Sequence, residues 1–213
     1  MWRALRIVVT GAFAMFLAAA PAVAQPTGGL ESRLAELWSS VLETPGGAAQ
    51  NPVLEGDPCV DLRGRTVAPF GGLREELTCT VEEGTKIFVA AWSSECSTFE
   101  AGTDYFGADK ADLRACAARI DAGVTVEATL DGAPLPLTEV TTRPLRIGLP
   151  AANVFGLTGD ARRGLAVGHG WVATVRGLQP GTHEIVIHSR GEYLDAPLDL
   201  HSTTTIVVRP RHT

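Results

Sequence analysis

The chain has 213 residues, with 18 basic and 24 acidic side chains, a formal charge of −6 and an apolar fraction of 45%. The acidic balance argues against nucleic acid and against an anionic membrane surface as partners, since both need a positive footprint. Sixteen of the basic residues are arginines scattered along the chain, so they form no patch.

The first residues, "MWRALRIVVTGAFAMFLAAAPAVAQ", read as a secretory signal. Arg3 and Arg6 form the basic region, Ile7 to Ala20 the apolar run, and Ala22-Val23-Ala24 the small residues before cleavage at Gln25. The apolar run is too short to span a bilayer comfortably. The expectation is residues 1–24 as signal peptide, 25–50 as an N-terminal helix and linker, and 51–210 as one β-sandwich domain. The expected location is secreted or periplasmic, with no membrane insertion after cleavage.

Leu30, Leu34, Leu37, Trp38, Val41 and Leu42 recur at steps of three and four, which predicts an amphipathic helix over 30–42. "ETPGG" ends it, because Pro45 and two glycines cannot continue a helix. "ELTCTV" and "KIFVAAW" then read as strands around the turn "EEGT".

Cys59, Cys79, Cys96 and Cys116 make an even count in an exported chain, which points to disulfides. Of three pairings, Cys59–Cys79 and Cys96–Cys116 are favoured because each closes a local loop. Zinc is disfavoured: there is no Cys-x-x-Cys, and no histidine stands at ligand spacing from a cysteine.

From Ser93 to Cys116 runs an acidic stretch, "SSECSTFEAGTDYFGADKADLRAC", with Glu95, Glu100, Asp104, Asp109 and Asp112 between and beside two cysteines. Glu100, Asp104 and Asp109 are its calcium candidates, although the EF-hand order is absent. A secreted polysaccharide hydrolase would draw its carboxylates from the Glu95 to Asp112 region, Glu95 and Glu100 among them. The favoured reading needs no ligand. Asp109 caps a short helix, "KADLRACAARI", whose face of Leu113, Cys116, Ala117 and Ile120 points inward, and a disulfide pins it to the sheet.

Alternation in "VTVEATL" predicts a strand, and Asp131-Gly132 a tight hairpin turn. "PLRIGLP", "LAVGHGWVATVRGL", "THEIVIHS" and "STTTIVVRP" complete the strands. Together they predict a mainly β fold: an antiparallel two-sheet sandwich of immunoglobulin or fibronectin type, with one N-terminal helix and one disulfide-pinned helical excursion. His183 and His188 face opposite sides of their strand and cannot share a metal.

Motifs for nucleophilic or metal catalysis are missing: no Gly-x-Ser-x-Gly, Ser-x-x-Lys or His-Glu-x-x-His occurs. Ser94 and Ser97 flank Cys96 without a histidine placed to activate them. His169, between two glycines in "GHGW", is a candidate ligand contact with Trp171 and Glu95. Trp38, Trp92 and Trp171 could line a sugar platform or pack in the core.

Five segments carry a resemblance: "NPVLEGDPC", "LTCTVEEGTKIFVAAWSSECST", "LRACA", "TLDG" and "LQPGTHEIVIHS". The chain resembles a family of exported bacterial proteins to which no activity is attached. It departs from that pattern at the N-terminal helix, which keeps only Trp38, and at "VDLRGRTVAPFGG", which replaces an aromatic strand. The resemblance implies an exported domain. The functional expectation is a non-catalytic, disulfide-stabilised module binding a glycan, a cell-wall component or a protein, without a cofactor. The alternatives are the carboxylate hydrolase and the calcium-stabilised domain.

Overall fold

The computed structural model describes residues 27–47 and 49–211, so the expected signal peptide lies outside the described residues. The elements are α1 (Thr27–Glu43), β1 (Cys59–Leu62), β2 (Thr66–Pro69), β3 (Glu76–Glu82), β4 (Lys86–Ser97), α2 (Lys110–Asp121), β5 (Val124–Leu130), β6 (Ala133–Pro134), β7 (Thr138–Thr141), β8 (Leu145–Gly148), β9 (Arg163–Val175), β10 (Gly181–Tyr193) and β11 (Ala196–Arg209). Two sheets form. Sheet A runs β1-β2-β4-β9-β7, with β8 also on β9, and sheet B runs β3-β11-β10-β5-β6.

The sandwich is not wholly antiparallel, which corrects that part of the expectation. β2 runs parallel to β4, and β3 runs parallel to β11. The cause lies at "EEGT". Its turn, with Gly84 at φ 82°, does not close a hairpin; it is a corner where the chain leaves β3 in sheet B and enters β4 in sheet A.

Three layers result. Leu30, Leu34, Leu37, Trp38, Val41 and Leu42 of α1 are all buried, and they pack with Val60, Leu62, Phe88, Val140, Ile147 and Val172 on the outer face of sheet A. Asn51 closes the far end of this helix, where carbonyls lack partners: its amide donates to the carbonyls of Val41 and Thr44. Between the sheets lie Val67, Val81, Ile87, Val89, Ala173, Val175, Ile185 and Ile206. A third cluster joins α2 to sheet A through Cys96, Leu113, Cys116, Ile120 and Val167.

Both disulfides form as the spacing suggests. Cys59–Cys79 joins β1 at the rim of sheet A to β3 at the rim of sheet B, and Cys96–Cys116 pins α2 to β4. The Asp109 carboxylate accepts from the backbone N–H groups of Ala111 and Asp112, as an N-cap does. Asp131-Gly132, with φ of 49° and 77°, makes the tight turn between β5 and β6. Among the described residues, no helix is long and apolar enough to cross a membrane.

Candidate functional site

One irregularity in β4 decides which side chains meet. β4 pairs with β9 from Ile87↔Val175 to Ser97↔Ala166, but the register slips between Ala90 and Trp92. Ala91 is therefore an extra residue, a β-bulge. Before it, Phe88 and Ala90 face α1; after it, Ser93, Glu95 and Ser97 take that face. Trp92, Ser94 and Cys96 turn toward α2 and sheet B.

On the α2 side a buried polar network forms around Asp121, the last residue of α2 and fully buried. Its Oδ1 accepts from the Trp92 indole at 2.8 Å and the Ser94 hydroxyl at 2.7 Å. Its Oδ2 lies 2.8 Å from His169 Nδ1, and the other imidazole nitrogen lies 3.1 Å from Glu139 Oε1. Burial would lower the His169 pKa, but the hydrogen bonds and charges of Asp121 and Glu139 outweigh it and raise it. Each imidazole nitrogen thus faces one carboxyl, an arrangement that favours the protonated ring, which can donate from both. A chain of hydroxyls continues from Ser94 to Tyr193 at 3.2 Å and on to Tyr105 at 2.9 Å. Burial pushes the Tyr193 phenol far up, so it stays neutral.

This network is not a hydrolytic triad. In a triad the histidine touches the nucleophile. Here Asp121 stands between Ser94 and His169, and both imidazole nitrogens are engaged by carboxylates.

On the α1 side, Glu95 lies buried opposite Gly168, where a Cβ would strike the Trp38 ring. Its Oε1 makes no hydrogen bond. Burial first, then the neighbouring Glu100 charge, raise its pKa well above the ordinary value. Burial also raises Glu100, which accepts from the Ser97 hydroxyl at 3.1 Å. Neither carboxyl lines the cleft described next.

That cleft opens where β2 stops. β2 covers β4 only at Lys86 and Ile87. Pro69 has no N–H to extend the ladder, and Gly72, at φ 58°, turns the chain across to β3. Beyond Ile87 the edge of β4 has no strand partner on that side, among the described residues, until Ser97 meets the 105–107 segment. The five consecutive residues Ala90 to Ser94 line the cleft, facing the 69–74 loop, with Trp38, Phe70, Ile187, Tyr193 and Leu200 around them. Its volume is about 160 Å³. Val53 and Leu73 form an apolar lip, and Leu73 is 71% exposed. A broader basin at the start of α1 holds Arg33, Glu36, Arg63, Lys86 and Arg176, but Arg33 and Arg63 both pair with Glu36.

The residues singled out in the sequence fall in separate places. His169 and Trp171 meet edge to face at 5.4 Å, while Glu95 lies on the opposite side of the sheet. Glu100 sits with Ser97 and Asp109 caps α2, while the backbone carbonyl of Asp104 accepts from Arg119. Trp38 and Trp92 are buried, and their indole N–H groups are taken by Ser93 and Asp121. The sequence reading missed Asp121, Glu139, Tyr193 and the bulge. Among the described residues, the three donors grouped closely enough for a cation are His188, Asp199 and His201, on sheet B.

No family model matches the chain, and no curated protein matches it. Among solved structures, it is similar to a solution structure of amebosin, at 14% identity and a TM-score of 0.22, over 62% of this chain and 88% of that one. It is also similar to a crystal structure of a cysteine protease inhibitor from Entamoeba histolytica, at 12% identity and a TM-score of 0.28, over 63% of this chain and 88% of that one. At these values neither likeness bears on function.

Proposed function

We propose that the protein is an exported, non-catalytic binding module that takes an extended peptide segment of a partner protein along the open edge of β4. The carrying observation is the run Ala90 to Ser94, whose unpartnered strand edge lines the cleft. A strand edge offers alternating N–H and C=O groups, and an added peptide strand satisfies both. The lip of Val53 and Leu73 supplies apolar area that a monomer otherwise leaves in water. A glycan fits less well, because the indoles of Trp38 and Trp92 pack edge-on against Phe70 and Tyr193 and leave no open aromatic platform. The signal-like N-terminus, the disulfides and the resemblance to exported bacterial proteins support export. The immunoglobulin-like relation belongs to this reading too: "GLQPGTH" forms the corner between β9 in sheet A and β10 in sheet B.

Selection of a displayed random-peptide library on the immobilised protein tests the proposal. Selected peptides should bind in extended form and lose binding when alternate backbone N–H groups are methylated. Leu73→Glu should weaken them by about tenfold or more, a loss of about 1.4 kcal/mol. Peptides that bind Leu73→Glu equally well, or a selection that yields none, would refute it.

A further inference from the structure

We infer that the outer face of sheet B carries a site for a borderline divalent cation, zinc or copper, built from His188, Asp199 and His201. His188 in β10 and His201 in β11 stand directly opposite each other in the register. Asp199 is two residues before His201, so it shares the same face. The imidazole rings stack with centroids 3.9 Å apart and planes 17° from parallel. Their Nε2 atoms both turn toward Asp199 Oδ1, at 2.7 Å for His188 and 3.7 Å for His201. All three donor atoms lie within 4.8 Å of one another. Ligands about 2.0–2.1 Å from a tetrahedral zinc lie roughly 3.3 Å apart. The observed separations bracket that value, so small side-chain rotations bring the three donors onto one ion.

The support is stiff. β10 and β11 pair without interruption from Gly181↔Val208 to Tyr193↔Ala196. Arg190, opposite Asp199, is drawn away by Glu127, whose carboxylate takes both guanidinium nitrogens at 2.8 and 3.4 Å. The fold itself asks for no such cluster. A His188–Asp199 pair would need no third member, and Asp199 and His201 are exposed, so neither serves the core. Two imidazoles and one carboxylate suit zinc, copper or nickel, whereas calcium and magnesium take oxygen ligands. Three protein ligands leave a coordination position open toward solvent, where a ligand from another molecule could complete the shell.

Calorimetric titration of the chain, purified without a histidine tag, with zinc chloride at neutral pH should show one ion bound per chain. Calcium and magnesium chloride should give no comparable heat. His188→Ala and His201→Ala should each weaken zinc more than about tenfold, since even outer-shell partners cost that much. His183→Ala should leave binding unchanged, because His183 is held by Asp131 elsewhere on β10. With copper, the electron paramagnetic resonance spectrum should show two nitrogen ligands, and fewer in either variant. Absence of saturable zinc binding, or binding that persists in the His188→Ala/His201→Ala double variant, would overturn the inference. Both histidines face solvent on a sheet surface, and unchanged circular dichroism of the variants separates lost binding from lost fold.

Discussion

Among the described residues, Glu95 is the side chain left least satisfied: buried, beside a second carboxyl, with one oxygen unpartnered. Its raised pKa means that its contribution to stability is full below the ordinary carboxyl range. That contribution is lost as pH rises through the folded value. Glu95→Gln keeps the shape and removes the ionisation. It should raise the melting temperature at about pH 8 and change it little at about pH 4, where the native carboxyl is already protonated. Asp121 is the opposite case, a buried carboxyl with both oxygens hydrogen-bonded. Asp121→Ala would strand the Trp92 indole, the Ser94 hydroxyl and the His169 imidazole together. Each buried donor left without its acceptor costs about 1–3 kcal/mol, and urea unfolding should show a loss of at least that order. Asp121→Asn, which still accepts hydrogen bonds, should lose less.

At the scale of elements, the two helices were legible because their signals are local. The period of Leu30, Leu34, Leu37 and Val41 marks α1, and Asp109 ahead of Leu113, Cys116 and Ile120 marks α2 with its cap. Seven strands, β3, β4, β5, β8, β9, β10 and β11, were legible as strands but their partners were not, whereas β1 and β2 within "VDLRGRTVAPFGG" and β7 carried no strand reading at all. "EEGT" reads the same whether it closes a hairpin or turns a corner between sheets, and only β11 lying beside β3 tells the two apart. The bulge at Ala91 was equally silent, since "FVAAW" alternates acceptably in either register. Yet the bulge decides that Ser94, not Ser93, meets Asp121. Close packing of β4 against β9 is testable at glycines. A Cβ on Gly170 would meet the Trp92 carbonyl oxygen and the Ser93 Cα, which are backbone atoms and cannot swing aside. Gly170→Ala should therefore cost about 1–3 kcal/mol. Gly148→Ala in β8, where nothing lies within 4 Å, should change stability by less than about 0.5 kcal/mol. Cys96→Ala/Cys116→Ala should cost about 3 kcal/mol in denaturant unfolding, with faster hydrogen exchange concentrated in α2.

For the molecule as a whole, the titrating groups oppose one another in pH. Hydrogen bonds hold the carboxyls of Asp109, Asp131 and Asp199 below their ordinary range, so what they contribute is present above that range and lost in acid. His169 and Glu95 are raised, and what they contribute is lost as pH rises through their folded values. Stability should pass through a maximum in mildly acidic solution, and His169→Gln should flatten the alkaline side, as thermal unfolding across pH would show. The Cys59–Cys79 bond also acts at this scale, since it ties the rims of the two sheets beside the cleft. The sequence by itself determined the two helices, the helix cap, most strands and the mainly β class, because each follows from neighbours along the chain; the disulfide pairs it only favoured among three. Only the tertiary structure decided the parallel pairings, the Asp121–His169 network, the open edge of β4 and the meeting of His188 with His201. Those depend on which distant strands lie side by side and in what register, and a shift of one residue would send every side chain to the other face.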